Sequence, residues 1–121
     1  MSLSARLHAS LLLLGLAACG GPPEPVTQPE LMPDPSPFVY PTALWDQKMR
    51  GETLLLLHVT AAGQVDSVTV SNSSGRAEFD SAAVSGARKL RFVPGRRADR
   101  PIEMWTKLPV RFEVDSVKVG R

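Results

Sequence analysis

Ile102-Glu103-Met104-Trp105-Thr106-Lys107-Leu108-Pro109-Val110-Arg111-Phe112-Glu113-Val114 decides the fold. Ile102, Met104, Leu108, Val110, Phe112 and Val114 take even positions. Glu103, Trp105, Lys107, Arg111 and Glu113 take odd ones. A period of two is that of a β-strand with one face in a core and the other in water. Pro109 sits inside this run. Proline has no N–H to give to a ladder, so the strand is predicted at a sheet edge. Lys107 and Arg111 are the kind of charge that keeps an exposed edge from pairing at random. Such an edge is also a template on which an extended peptide adds as a further strand. Trp105, Lys107, Pro109, Arg111 and Glu113 are therefore the candidate peptide-binding residues.

The residues before this strand supply its partners. Thr53 to Thr60 reads as a strand, and Leu54-Leu55-Leu56-Leu57 is apolar on both faces, which predicts a central place. Ala61-Ala62-Gly63-Gln64 is a hairpin turn, and Val65 to Ser71 is the second strand. Asn72-Ser73-Ser74-Gly75 is a turn built from residues that bond their own backbone. Ala77 to Leu90 is a helix, because Phe79, Ala83, Ala87 and Leu90 fall on one face. Glu78 and Asp80 at its start and Arg88 and Lys89 at its end suit the helix dipole. Thr42 to Met49 reads as a short helix introduced by Pro41. The predicted fold is α+β: a three-stranded antiparallel sheet with one main helix packed on it and a short N-terminal helix.

The first half of the chain is of a different kind. Arg6 precedes the apolar run Leu7 to Leu16, which at ten residues is half of what a membrane crossing needs. Leu16-Ala17-Ala18-Cys19 follows it and resembles the bacterial lipobox, with the single cysteine of the chain at the position that is acylated. Residues 1–18 are then a lipoprotein signal peptide, and Cys19 becomes a lipidated N-terminus on a membrane. Gly20 follows rather than the Asp that commonly retains such proteins at the inner membrane, so the outer membrane is expected. Residues 19–41 read as a Pro-rich linker, with eight of the 11 prolines between Pro22 and Pro41. It is predicted to form neither helix nor sheet and to hold the domain off the lipid, with a reach of about 70 Å. The folded domain is placed at 42–115, and 116–121 is left as a tail.

Composition narrows the function. Fourteen Lys and Arg against 12 Asp and Glu give a net charge of +2, which does not call for nucleic acid. One Cys and two His leave no basis for a disulfide framework or a metal centre, and no cofactor is expected. His58 is the only histidine after the leader, and a strand-face histidine explains it better than a catalytic triad. No catalytic residues are assigned. Arg88, Lys89, Arg91, Arg96, Arg97 and Arg100 make a basic stretch with Asp99 as its only acid. It reads as a solvated helix end and loop, or as a surface for an acidic partner.

Six short motifs occur in one order. They are Tyr40-Pro41; Gly51 with Leu55, Leu57, Val59 and Gly63; Val65, Val68 and Val70 with Ser73-Ser74-Gly75; Phe79-Asp80 with Ala82-Ala83; Leu90-Arg91-Phe92-Val93-Pro94; and Pro109-Val110 with Phe112. Together they resemble the C-terminal domain of the TonB family over Tyr40 to about Val114. Leu90 stands where the family has Trp, and Pro37 to Val39 replace its polar approach to Tyr-Pro. A lipobox and short tether stand where family transducers carry an inner-membrane helix and a long spacer. The resemblance implies a periplasm-facing domain that binds peptide segments of outer-membrane receptors by strand addition, in energy-coupled transport. The alternative is a structural envelope lipoprotein whose edge pairs with a second copy, as a homodimer, or contacts the cell wall.

Overall fold

A computed structural model describes residues 22–114 and 116–120. The leader and Cys19 lie outside the described residues. In chain order the elements are β1 (Val26–Thr27), β2 (Glu30–Leu31), a 3₁₀ turn (Thr42–Leu44), β3 (Gly51–Val59), β4 (Val65–Asn72), α1 (Ala77–Ala87), β5 (Phe92–Val93), β6 (Gly95–Arg97), β7 (Arg100–Ile102), β8 (Met104–Glu113) and β9 (Ser116–Val119). The α+β class holds, with one main helix on an antiparallel sheet.

Among the described residues the main sheet has four strands, in the order β4-β3-β8-β9, rather than the expected three. β3 is central, as its two apolar faces require. β8 pairs with it along its full length, Gly51 opposite Phe112 and Val59 opposite Met104. The β3–β4 hairpin turns at Gly63, whose φ of 81° is open to glycine at little cost. A Cβ there would lie 2.0 Å from the Phe92 carbonyl oxygen.

The fourth strand corrects the edge assignment of Ile102–Val114. Residues 116–119, read as tail, pair with β8 over Val110–Glu113. β8 is therefore an interior strand in its C-terminal half. Pro109 stands where that pairing stops: its carbonyl accepts from Gly120 N–H at 3.0 Å, and it has no N–H to return. A residue's N–H and C=O leave a strand on the same side, so the missing donor falls on the β9 side and costs the β3 ladder nothing. Proline marks the end of one ladder here and not the edge of the sheet.

α1 covers one face. Phe79, Ala83 and Ala87 are fully buried, and Leu90 just past its end is nearly so. The helix stops three residues short of Leu90, because Lys89 and Leu90 donate to Gly86 and Ala87 and tighten the last turn. The helix lies over β3 and β4, and Leu55, Leu57 and Val59 of β3 with Val110 and Phe112 of β8 share its core. Phe79 stacks on Phe112 with centroids 4.7 Å apart, and Tyr40 meets Phe79 edge-on at 5.6 Å.

The linker is another correction. Val26–Thr27 pairs with β6 and Glu30–Leu31 with β5. Phe38 and Tyr40 bury their rings in the core. Prolines exclude long ladders, but two-residue pairings between them survive, and two buried aromatics fix the segment to the domain. The Tyr40 hydroxyl donates to the Met49 carbonyl at 2.5 Å. The expected helix over Thr42–Met49 reduces to one 3₁₀ turn followed by a turn through Lys48, whose φ is 49°. Only Leu44 of that turn is buried, which is too little apolar surface to hold a longer helix.

Asp80 locks the β4–α1 connection. Its carboxylate accepts from the buried Thr53 hydroxyl (2.8 Å), from Ser74 N–H (2.9 Å), from the Ser74 hydroxyl (2.8 Å) and from Ser73. Partial burial pushes its pKa up, but these four hydrogen bonds outweigh it and hold the group at about 2, below the ordinary 3.8. A depressed carboxylate stabilises the fold above its unfolded pKa, and that stability is lost as pH falls from about 4 towards 2. Allowing for solvent screening, the loss is about 1–2 kcal/mol. Asp80→Asn should remove that part of the acid sensitivity, which urea melts across this pH range will measure.

Candidate peptide-binding edge

Odd-numbered residues of β8 point away from α1. Trp105, Lys107, Pro109, Arg111 and Glu113 therefore share the outer face of the sheet, each about 7 Å from the next. The structure places all five on one row, as the alternation requires, but their surroundings differ.

Arg111 Nε lies 3.3 Å from Glu52 on β3, and Glu113 takes Lys118 of β9 at 3.3 Å. Both pairs are partly exposed and modest in energy. The backbone groups of Arg111 and Glu113 on the outer side belong to the β9 ladder, where they oppose Lys118 and Ser116. These two residues do not border an open edge, which corrects the expectation for them. An added proline at Arg111 would strip β9 rather than block a guest.

Trp105 and Lys107 lie beyond the reach of β9. Counting by two from Pro109, their N–H and C=O groups point to the same outer side. Among the described residues no backbone partner meets them there. Two donors and two acceptors thus line the open part of the edge. The wall opposite is the chain's own segment Gln28–Leu31, across a groove that runs along Thr106–Pro109 and has Phe92 in its lining. The groove was not visible in the sequence, because it needs the linker to be docked. Phe38 and Tyr40, aromatics at the end of a Pro-rich run, were the available signal that it would be.

Trp105 is half exposed and leans on His58, with ring centroids 4.9 Å apart. His58 Nδ1–H donates to Asp66 Oδ1 at 2.6 Å, and Nε2 faces Glu103 Oε2 at 3.7 Å. The side of the ring on which a triad would need a hydroxyl nucleophile holds a carboxylate instead. The arrangement can position Trp105 and offers an aromatic surface beside the open edge; it has no hydrolytic geometry. Among the described residues no group of three or more His, Cys, Asp or Glu is placed to hold a metal ion. No helix among them is long and apolar enough to cross a membrane.

The family described as Gram-negative bacterial TonB protein C-terminal matches residues 36–114. Protein tonB2 of Pseudomonas aeruginosa is 34% identical over 76 residues, covering 63% of this chain and 28% of that protein. Protein TonB of Xanthomonas campestris pv. campestris is 33% identical over 84 residues, covering 66% of this chain and 36% of its own length. The chain thus aligns with about a third of these relatives or less. The solution structure of the Pseudomonas aeruginosa TonB C-terminal domain superposes with a TM-score of 0.59 at 22% identity, over 74% of this chain and 90% of that one. That likeness concerns the fold.

Proposed function

Because the chain belongs to the family of Gram-negative bacterial TonB protein C-terminal domains, we propose that it is a periplasm-facing module that binds an extended peptide from an envelope protein. The guest is a segment of an outer-membrane receptor of the kind served by TonB proteins. It adds as a strand beside Trp105 and Lys107. The observation that carries this reading is the half-open edge of β8, where β9 stops at Pro109 and leaves the outer groups of Trp105 and Lys107 without partners.

Main-chain bonds to those two residues supply most of the affinity, and each is worth about 0.5–1.5 kcal/mol net. Trp105 offers its face to an apolar guest side chain, and Lys107 its charge to an acidic one. Titration of the chain with peptides from receptor N-terminal segments tests the proposal. Saturable binding that perturbs the amides of Trp105 and Lys107 supports it. Binding that perturbs β4 instead, or none at all, removes it.

The same proposal places the domain in the envelope, held by an acyl group on Cys19 at the outer membrane. The support is the Leu16-Ala17-Ala18-Cys19 pattern after a short apolar run. Cys19→Ala is expected to abolish labelling by a radiolabelled fatty acid and to release the protein from the membrane fraction. Unchanged labelling in that variant would count against the anchor. Peptide capture is the step proposed for this domain, within the energy-coupled envelope transport that its family membership implies.

A further inference from the structure

The docked linker changes where the domain sits. β1 pairs with β6, Val26 opposite Arg97 and Thr27 opposite Arg96. The Pro25 carbonyl also accepts from Ala98 N–H at 2.7 Å, and Glu24 meets Arg100 at 3.4 Å. The chain is therefore tied to the β6–β7 hairpin from Glu24 onward. From Cys19 to Pro25 are six residue steps, which at 3.3–3.6 Å each reach about 20 Å. That is far short of the 70 Å expected of a free linker.

The hairpin so placed is basic. Arg96, Arg97 and Arg100 are all exposed around the Ala98–Asp99 turn. Arg97 and Arg100 are register partners, and like charges directly opposite are destabilising. Glu24 answers Arg100 alone. Arg96 and Arg97 have no ion-pair partner among the described residues. Asp99 in the turn is the other acid nearby. The arginines are better satisfied by negative charge from outside the chain.

We propose that the β6–β7 hairpin is a docking surface for the headgroups of an anionic phospholipid bilayer. The occupant is argued from chain geometry and charge together: the segment leading to Cys19 leaves from this hairpin and cannot carry it more than about 20 Å from an anchor. The orientation rests on the reading of Cys19 as acylated. Guanidinium groups suit phosphate, which they engage through paired N–H donors. Docking by this hairpin fixes the domain's orientation on the membrane and keeps it close to membrane proteins.

The test uses the whole chain after the leader, with Cys19→Ser so that no acyl group contributes. Its probes are vesicles of phosphatidylcholine with and without about a third phosphatidylglycerol. One basic residue near an anionic surface gains about fivefold in partitioning. With Glu24 and Asp99 offsetting part of three arginines, a preference of about tenfold for the anionic vesicles is expected. Raising salt should remove it, since the interaction is screened within a Debye length. Replacing Arg96, Arg97 and Arg100 together by Gln should abolish the preference. Replacing Lys48, Arg50 and Arg76 by Gln should leave it, although the same charge is lost. Equal partitioning into both vesicles, or equal loss in both triple variants, overturns the proposal. Binding to soluble polyglutamate without a preference for anionic vesicles overturns it too, in favour of an acidic polymer. Fatty-acid labelling of the full chain reads the anchor separately. Vesicle preference without label supports the surface and counts against the anchor.

Discussion

Phe79→Ala is expected to destabilise the domain by about 3–5 kcal/mol. The ring is fully buried, stacked on Phe112 and met edge-on by Tyr40. It therefore joins α1, the β3–β8 core and the docked linker at one point. Gly51 passes so close that a Cβ there would lie 2.7 Å from Cδ2 of the ring. Rigid neighbours of this kind cannot collapse into the space left behind, which puts the cost at the upper end of the range. A small domain holds about 5–15 kcal/mol in total, so much of its stability would go. Urea unfolding of parent and variant measures the difference. A loss below about 1 kcal/mol would mean that α1 does not seat on this ring.

Lys107→Pro is expected to weaken peptide binding by up to about tenfold while the domain stays folded. The Lys107 N–H points to the open side of β8, as the nitrogen of Pro109 does. Proline there removes a donor that a guest needs and that β3 does not use. Thr106→Pro is the contrasting variant. Thr106 faces β3 opposite Leu57, so its loss breaks the central ladder and should unfold the protein. Calorimetric titration of the Lys107 variant against a receptor peptide, with thermal melts of both variants, separates the two effects. Parent-like affinity in Lys107→Pro would mean that the guest does not use this edge.

Much of the architecture could be read from residue order alone. The even-numbered apolar row of β8 lies on the inner face, where Leu108, Val110 and Phe112 are buried in one core with Phe79, Ala83 and Ala87. The paired apolar faces of Leu54–Leu57 do mark a central strand. Gly63 does turn the hairpin. What escaped was short or non-local. β9 has four residues and only Val117 and Val119 to show its period, with two residues between it and the end of β8. Pro109 reads as an edge residue from sequence because the side on which its missing donor falls depends on register, which no single strand reveals. β1 and β2 have two residues each, hidden among prolines, and they form only because Phe38 and Tyr40 anchor the segment. The row of candidate residues was legible as a face. That its edge is open at Trp105 and Lys107 and closed at Arg111 and Glu113 depends on where β9 ends, and so was not.

Amide hydrogen exchange at Trp105 and Lys107, with and without saturating receptor peptide, tests strand addition most directly. In the free protein these two amides should exchange much faster than those of Thr106 and Leu108, which face β3. With peptide bound they should slow to the same level. The account is contradicted if Lys107 is already as protected as Thr106 in the free protein, or if bound peptide leaves its exchange unchanged.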